Sequence, residues 1–133
     1  MNMNKINDFL TEAKVFFLAT TDGNQPKLRP LGFKAMVDGK LIFAVGSHKD
    51  VYKQMVANPL VEINALNDKM QWLRYSGKVV FEEDPKYGEI LFEAIPSLRA
   101  VYEAAGARPM AFHLEDAKAD IRSVSGEVVE TIC

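Results

Sequence analysis

Asp38-Gly39, set between RPLGFKAMV and KLIFAV, is the feature that most limits what this chain can become. An Asp-Gly pair is the usual two-residue joint of a tight hairpin, and the segments on either side read as its strands. The second of them, 40–45, leads into GSHKDVYKQMVANP, which reads as a helix with Val51, Tyr52, Met55 and Val56 on one stripe and Asn58-Pro59 closing it. One hairpin and one helix start therefore hold Arg29, Lys34, His48 and Lys49. Ser47 stands where it can cap the helix, whose first turn offers unpaired N–H groups and a partial positive charge. Cations in that first turn oppose the helix dipole unless an anion joins them, so the expectation is a phosphate site.

The remaining segments fit an all-β domain with added helices. Residues 3–14 place Ile6, Phe9, Leu10 and Ala13 at helical spacing. VFFLATT (15–21) reads as a strand, and DGNQP as its turn. A second strand is expected across 27–37, but Pro30 donates no ladder bond and Gly32 weakens a strand interior, which predicts an edge or a bulge. Strict alternation puts Arg29 and Lys34 on opposite faces, and an irregularity between them would bring both to one side. Strands follow at 60–66 and 71–81, then two helical runs broken at Pro96-Ser97, then two strands at 109–115 and 119–127. The pattern predicts one domain, 1–133, built as a small antiparallel barrel.

Charge narrows the partners. The net charge is −2, too little basic excess for a nucleic acid or an anionic membrane. Residues 1–60 nevertheless carry eight Lys/Arg against five Asp/Glu, and residues 61–133 carry eight against thirteen. A locally basic half suits a small anion. The single cysteine, Cys133, excludes an intrachain disulfide framework, and with an N-terminus lacking a signal-peptide core it predicts a cytoplasmic protein. Trp72, Arg74 and Ser76 share one strand face, where an indole and a guanidinium can stack on a planar ring. His48 and His113 lie far apart, and no HExxH, GxSxG, Walker or GxGxxG motif is present. His113 reads as structural, and Glu82, Glu83 and Asp84 as solvated. With no nucleophile–base pair, any chemistry has to come from a cofactor.

Four motifs in order, R-P-x-G-x-K, G-S-H-K-D, A-N-P-x-V-E-I and W-x-R-x-S-G, resemble the pyridoxamine 5′-phosphate oxidase-like FMN-binding split-barrel family across about residues 9–81, and more loosely to 127. The resemblance implies a mainly β fold with peripheral helices, a six-stranded antiparallel split β-barrel, forming a homodimer with FMN in clefts between subunits. It implies that Arg29 and Lys34 line the flavin site. By the same resemblance Ser47, His48 and Lys49 would hold the phosphate, the backbone at Pro30, Leu31 and Gly32 would lie along the isoalloxazine, and Phe43 and Ala44 would support the ribityl chain. Trp72 and Arg74 would reach toward the partner's flavin. Two departures argue against vitamin B6 oxidation. His48 stands where the family's oxidases have arginine, and the chain replaces their C-terminal substrate region with a helical excursion at 86–105.

The expected function is an FMN-dependent oxidoreductase acting on a small planar substrate, with NADH or NADPH as a candidate electron donor and no catalytic side chain assigned. The alternative on the same barrel is a non-catalytic FMN or haem carrier. An oligonucleotide-binding small barrel is disfavoured by the net charge and the single tryptophan.

Overall fold

The computed structural model describes residues 1–133 and contains one antiparallel sheet of eight strands. These are β1 (Phe16–Asp22), β2 (Gln25–Leu31), β3 (Lys34–Val37), β4 (Lys40–Gly46), β5 (Leu60–Leu66), β6 (Trp72–Phe81), β7 (Pro109–Arg122) and β8 (Val128–Ile132). Four helices accompany them: α1 (Met3–Ala13), α2 (Asp50–Ala57), α3 (Pro85–Ala94) and α4 (Leu98–Ala105). The strand order is β2-β1-β5-β6-β7-β4-β3, with β8 added to β7.

The two ends of that order, β2 and β3, are consecutive in the chain and joined only by Gly32 and Phe33. The three peptide bonds from Leu31 to Lys34 span at most about 10 Å, so the sheet has to curl until its edges lie side by side. β2 pairs with β1 alone and β3 with β4 alone. The barrel is thus closed by covalent chain at a seam that has no ladder, which is the split barrel that the family resemblance implies. The expected single strand 27–37 is corrected to two strands on opposite edges. Its edge character was foreseen from Pro30, which pairs with Phe17 on the outermost strand.

A second correction concerns the C-terminus. The strands expected at 109–115 and 119–127 are one 14-residue strand, β7, and the final strand is 128–132. β7 pairs with β4 at its start (109–112) and with β8 at its end (119–122), while β6 runs along its other side from Phe112 to Arg122. A register shift at Ser76/Lys78, opposite the positive-φ Asp116, lets so long a strand bend with the barrel. Counting β2 and β3 as one strand and setting β8 aside recovers the six expected.

The barrel interior is filled by alternate residues, among them Leu18, Phe43, Ile63, Leu73, Tyr75 and Phe112, all essentially inaccessible. Phe43 meets Phe16 edge-on at 6.0 Å and Phe112 at 5.7 Å. α1 plugs one end through Ile6, Phe9 and Leu10, and α2 contributes Val51 and Met55. The helical excursion falls where the sequence puts it. It packs on the outside, where Phe33, Ala44, Leu91, Phe92 and Tyr102 form a separate cluster. No helix is long and apolar enough to cross a membrane.

Candidate functional site

Arg29 and Lys34 both face the barrel interior, because the break at Gly32-Phe33 absorbs their odd spacing. Arg29 lies opposite Leu18 and Lys34 opposite Phe43, two core residues. The Arg29 guanidinium donates to the Leu18 carbonyl (3.1 Å), Thr20 Oγ1 (2.8 Å) and Gln54 Oε1 of α2 (2.8 Å). Lys34 Nζ donates to Asn7 Oδ1 and Thr11 Oγ1 of α1, each at 2.7 Å. Every acceptor is neutral. Burial therefore lowers both pKa values, offset for Lys34 in part by the charge of Asp8. These are partly dehydrated cations with no carboxylate bound to them.

The turn after β4 is built differently from the expectation. Ser47 does not cap α2. Its N–H donates to the Arg108 carbonyl and its Oγ accepts from the Arg108 N–H, both at 2.9 Å, so the residue clasps the strand entering β7. Lys49 occupies the N-cap position, and no side chain caps α2. The His48 ring folds back over Gly46, where a Cβ would lie 2.6 Å from the imidazole, and meets Tyr102 edge-on at 5.7 Å. Lys49 points outward and forms no ion pair with the protein. A helix start without a side-chain cap, with Lys49 unpaired beside His48 and Asp50 the one first-turn carboxylate, suits a phosphate.

The other resemblance-implied positions divide between two surfaces. Strand register sets Pro30, Phe17, Asn64 and Arg74 in one cross-strand row on the outer face, with Trp72 beside them. Trp72 donates from its indole to the Ser123 carbonyl at 2.8 Å, and the Arg74 guanidinium stacks 5.0 Å from its ring. Arg74 Nε is buried without a hydrogen bond, 3.5 Å from Glu62. Pro30 and Gly32 are exposed and the space around Gly32 is open, whereas Leu31 is buried. Phe43 is sealed in the barrel and Ala44 lies in the cluster with Phe92 and Tyr102, so neither offers a free side-chain surface for a ribityl chain. Within one chain, Arg29, Lys34 and Lys49 reach three different places: α2, α1 and solvent.

Glu82 is corrected from solvated to buried. Its side chain is 9% exposed, takes His113 Nδ1 at 2.5 Å and receives Lys40 Nζ at 3.3 Å, while His113 Nε2 meets Glu115 at 2.8 Å. His113 is thereby fully engaged by its neighbours. Tyr102 and Arg108 were not anticipated. Both belong to the region that α4 brings against the 46–49 turn, and the separation of 61 residues between Ser47 and Arg108 hides their proximity from any local pattern.

The model of the pyridoxamine 5′-phosphate oxidase family matches residues 3–120, nearly the whole chain. The chain belongs to that family. A NimC/NimA family protein of Clostridium acetobutylicum is 37% identical over 98% of this chain and 90% of its own, with a TM-score of 0.83. This family member also shares its fold with two more distant proteins. One is a pyridoxamine 5′-phosphate oxidase-related, FMN-binding protein of Nostoc punctiforme (16% identity, 98% and 96% coverage, TM-score 0.59). The other is PhzG of Burkholderia lata, solved with tetrahydrophenazine-1-carboxylic acid (16% identity, 95% and 82% coverage, TM-score 0.66). No curated protein matches this member of the family.

Proposed function

We propose that the protein binds FMN as a homodimer and acts as an FMN-dependent oxidoreductase on a small planar substrate in the cytoplasm. The observation that carries this reading is the start of α2, where no side chain caps the helix and the exposed Lys49 ammonium has no carboxylate partner. Lys49 and His48 would hold the phosphate, with Ser47 fixing the turn through its clasp on Arg108. Pro30, Gly32, Trp72 and Arg74 supply the open outer surface for the ring, and a second protomer covers it. Arg29 and Lys34, half-buried among neutral groups, raise the local potential and so favour an anionic, electron-rich ligand. Bound flavin supplies hydride and electron transfer, for which the chain has no group of its own. NADH or NADPH is the proposed electron donor.

Two titrations test the placement. Lys49→Ala is expected to weaken FMN binding about tenfold, in keeping with loss of one charge-assisted phosphate contact. Lys53→Ala, one turn further along α2, is expected to leave it nearly unchanged. Equal losses at both positions, or purified protein that stays colourless with excess FMN, would overturn the reading.

A further inference from the structure

β7 ends on Arg122, and the chain turns through 123–127 into β8. The Arg122 guanidinium is used on two sides at once. Nε and Nη2 donate to the two Asp120 carboxylate oxygens at 2.8 and 3.2 Å, and Nη1 donates to the Gly126 carbonyl at 3.1 Å. The first pair is the bidentate fork that suits arginine and not lysine. The third bond reaches over the turn. Its own backbone bonds run from the Ser123 N–H to the Glu127 carbonyl and from the Gly126 N–H to the Ser123 carbonyl, both at 2.9 Å. Gly126 supplies a positive φ of 89° there. The same Ser123 carbonyl also accepts the Trp72 indole N–H at 2.8 Å, which is the ring's one polar handle. Strand register sets Trp72 opposite Arg122, whose guanidinium carbon lies 5.9 Å from the ring centre.

We propose that Arg122 is a positioning residue: it holds the 123–126 turn, and through the Ser123 carbonyl it fixes the Trp72 indole on the outer face of the sheet. Where it bears on ligand binding the inference rests on the flavin reading, which gives Trp72 to the surface that meets the ring. A tryptophan has two side-chain torsions to lose when it stacks, and an indole already held in place makes that loss before the ligand arrives. Arg122 is not itself an anion site. Its charge is matched by Asp120, the two side chains being 25% and 23% exposed, and hydrogen bonding to Asp120 raises its pKa. Arg74 is likewise matched by Glu62 at 3.5 Å. With both guanidiniums near the indole balanced in this way, the face offers a planar ring for stacking rather than a free charge.

Trp72 is the single tryptophan, so its emission reports this ring alone when excitation avoids tyrosine. Three full-chain variants are compared with the unsubstituted protein: Arg122→Gln, Arg122→Lys and Arg99→Gln. The last removes an arginine–carboxylate pair on the helical excursion. Arg122→Gln is expected to shift the ligand-free emission to the red, lower its anisotropy, and weaken FMN binding about tenfold. Arg122→Lys keeps the charge but loses the fork, and is expected to behave as Arg122→Gln does. Arg99→Gln is expected to change neither the emission nor FMN binding. Urea unfolding followed by circular dichroism separates a loosened ring from a weakened fold, since a general loss of stability lowers the midpoint without altering native emission. Unchanged emission and anisotropy in Arg122→Gln, or full recovery in Arg122→Lys, would overturn the inference. FMN affinity unchanged by Arg122→Gln, in a protein that does bind FMN, overturns it as well. Unsubstituted protein that binds no FMN defeats the flavin reading alone, because the ligand-free emission still decides whether Arg122 holds the ring.

Discussion

Tyr75 sits in the middle of β6 with no exposed surface, and its hydroxyl has no hydrogen-bond partner. Burial pushes the phenol up to about 12, a sign of how poorly its surroundings solvate charge. An unpaired buried hydroxyl costs about 1–3 kcal/mol, while the ring it rides on is worth keeping. Tyr75→Phe is therefore expected to stabilise the fold by about 1 kcal/mol, read as a higher urea midpoint at unchanged slope. A lower midpoint would show that the hydroxyl has a partner after all. Arg29 and Lys34 pose the reverse case, hydrogen-bonded side chains that are charged among neutral acceptors. Because the folded pKa of Lys34 lies below its unfolded value, the unfolded chain binds more protons in the window just under 10.5. Stability should climb as pH rises through that window, so the charged lysine burdens the fold at neutral pH. Residues that burden a fold in this way are candidates for work on a ligand.

Among the elements, those set by local chemistry were legible and those set by partner choice were not. The Asp38-Gly39 turn needed no tertiary information, and both residues adopt positive φ, 52° and 77°. Nothing lies within 4 Å of a Cβ at Gly39, so Gly39→Ala isolates backbone strain from crowding. It is expected to cost about 1 kcal/mol in urea unfolding, with FMN affinity unchanged. α1 and the pair α3 and α4 were equally plain from apolar spacing and the Pro96 break. The 27–37 segment was not, since periodicity reports which side a residue faces but is silent on which strand it joins. Ser47 misled for a related reason. A serine before a helix has the cap as its local option, and a strand 61 residues away offered it two hydrogen bonds instead. The candidate site was half legible on the same principle. His48 and Lys49 were readable beside their helix, while Tyr102 and Arg108 reach that turn only through packing.

At the scale of the whole molecule, the outer face of β2, β1 and β5 is more apolar than a solvated sheet surface needs to be. Leu28 is 67% exposed, Phe17 37%, Leu60 65% and Leu66 49%. Leu28 and Phe17 share that face with Pro30 and, across β5, with Arg74 and Trp72. The proposed homodimer places this surface at its centre. Replacing Phe17 and Leu28 together by glutamate is expected to convert dimers to monomers in light scattering and to weaken FMN binding in parallel. A wild-type protein that scatters as a monomer would remove the dimer from the proposal. The fold class itself was readable because motif order along the chain reports an architecture even where individual strand partners stay hidden. Gly32 and Phe33 carry one last consequence. A wall stitched together by three peptide units, rather than by a row of amide–carbonyl bonds, can alter its girth through a few backbone torsions. Every ladder bond survives such a movement, so the barrel can gape or tighten around whatever it holds without beginning to unfold.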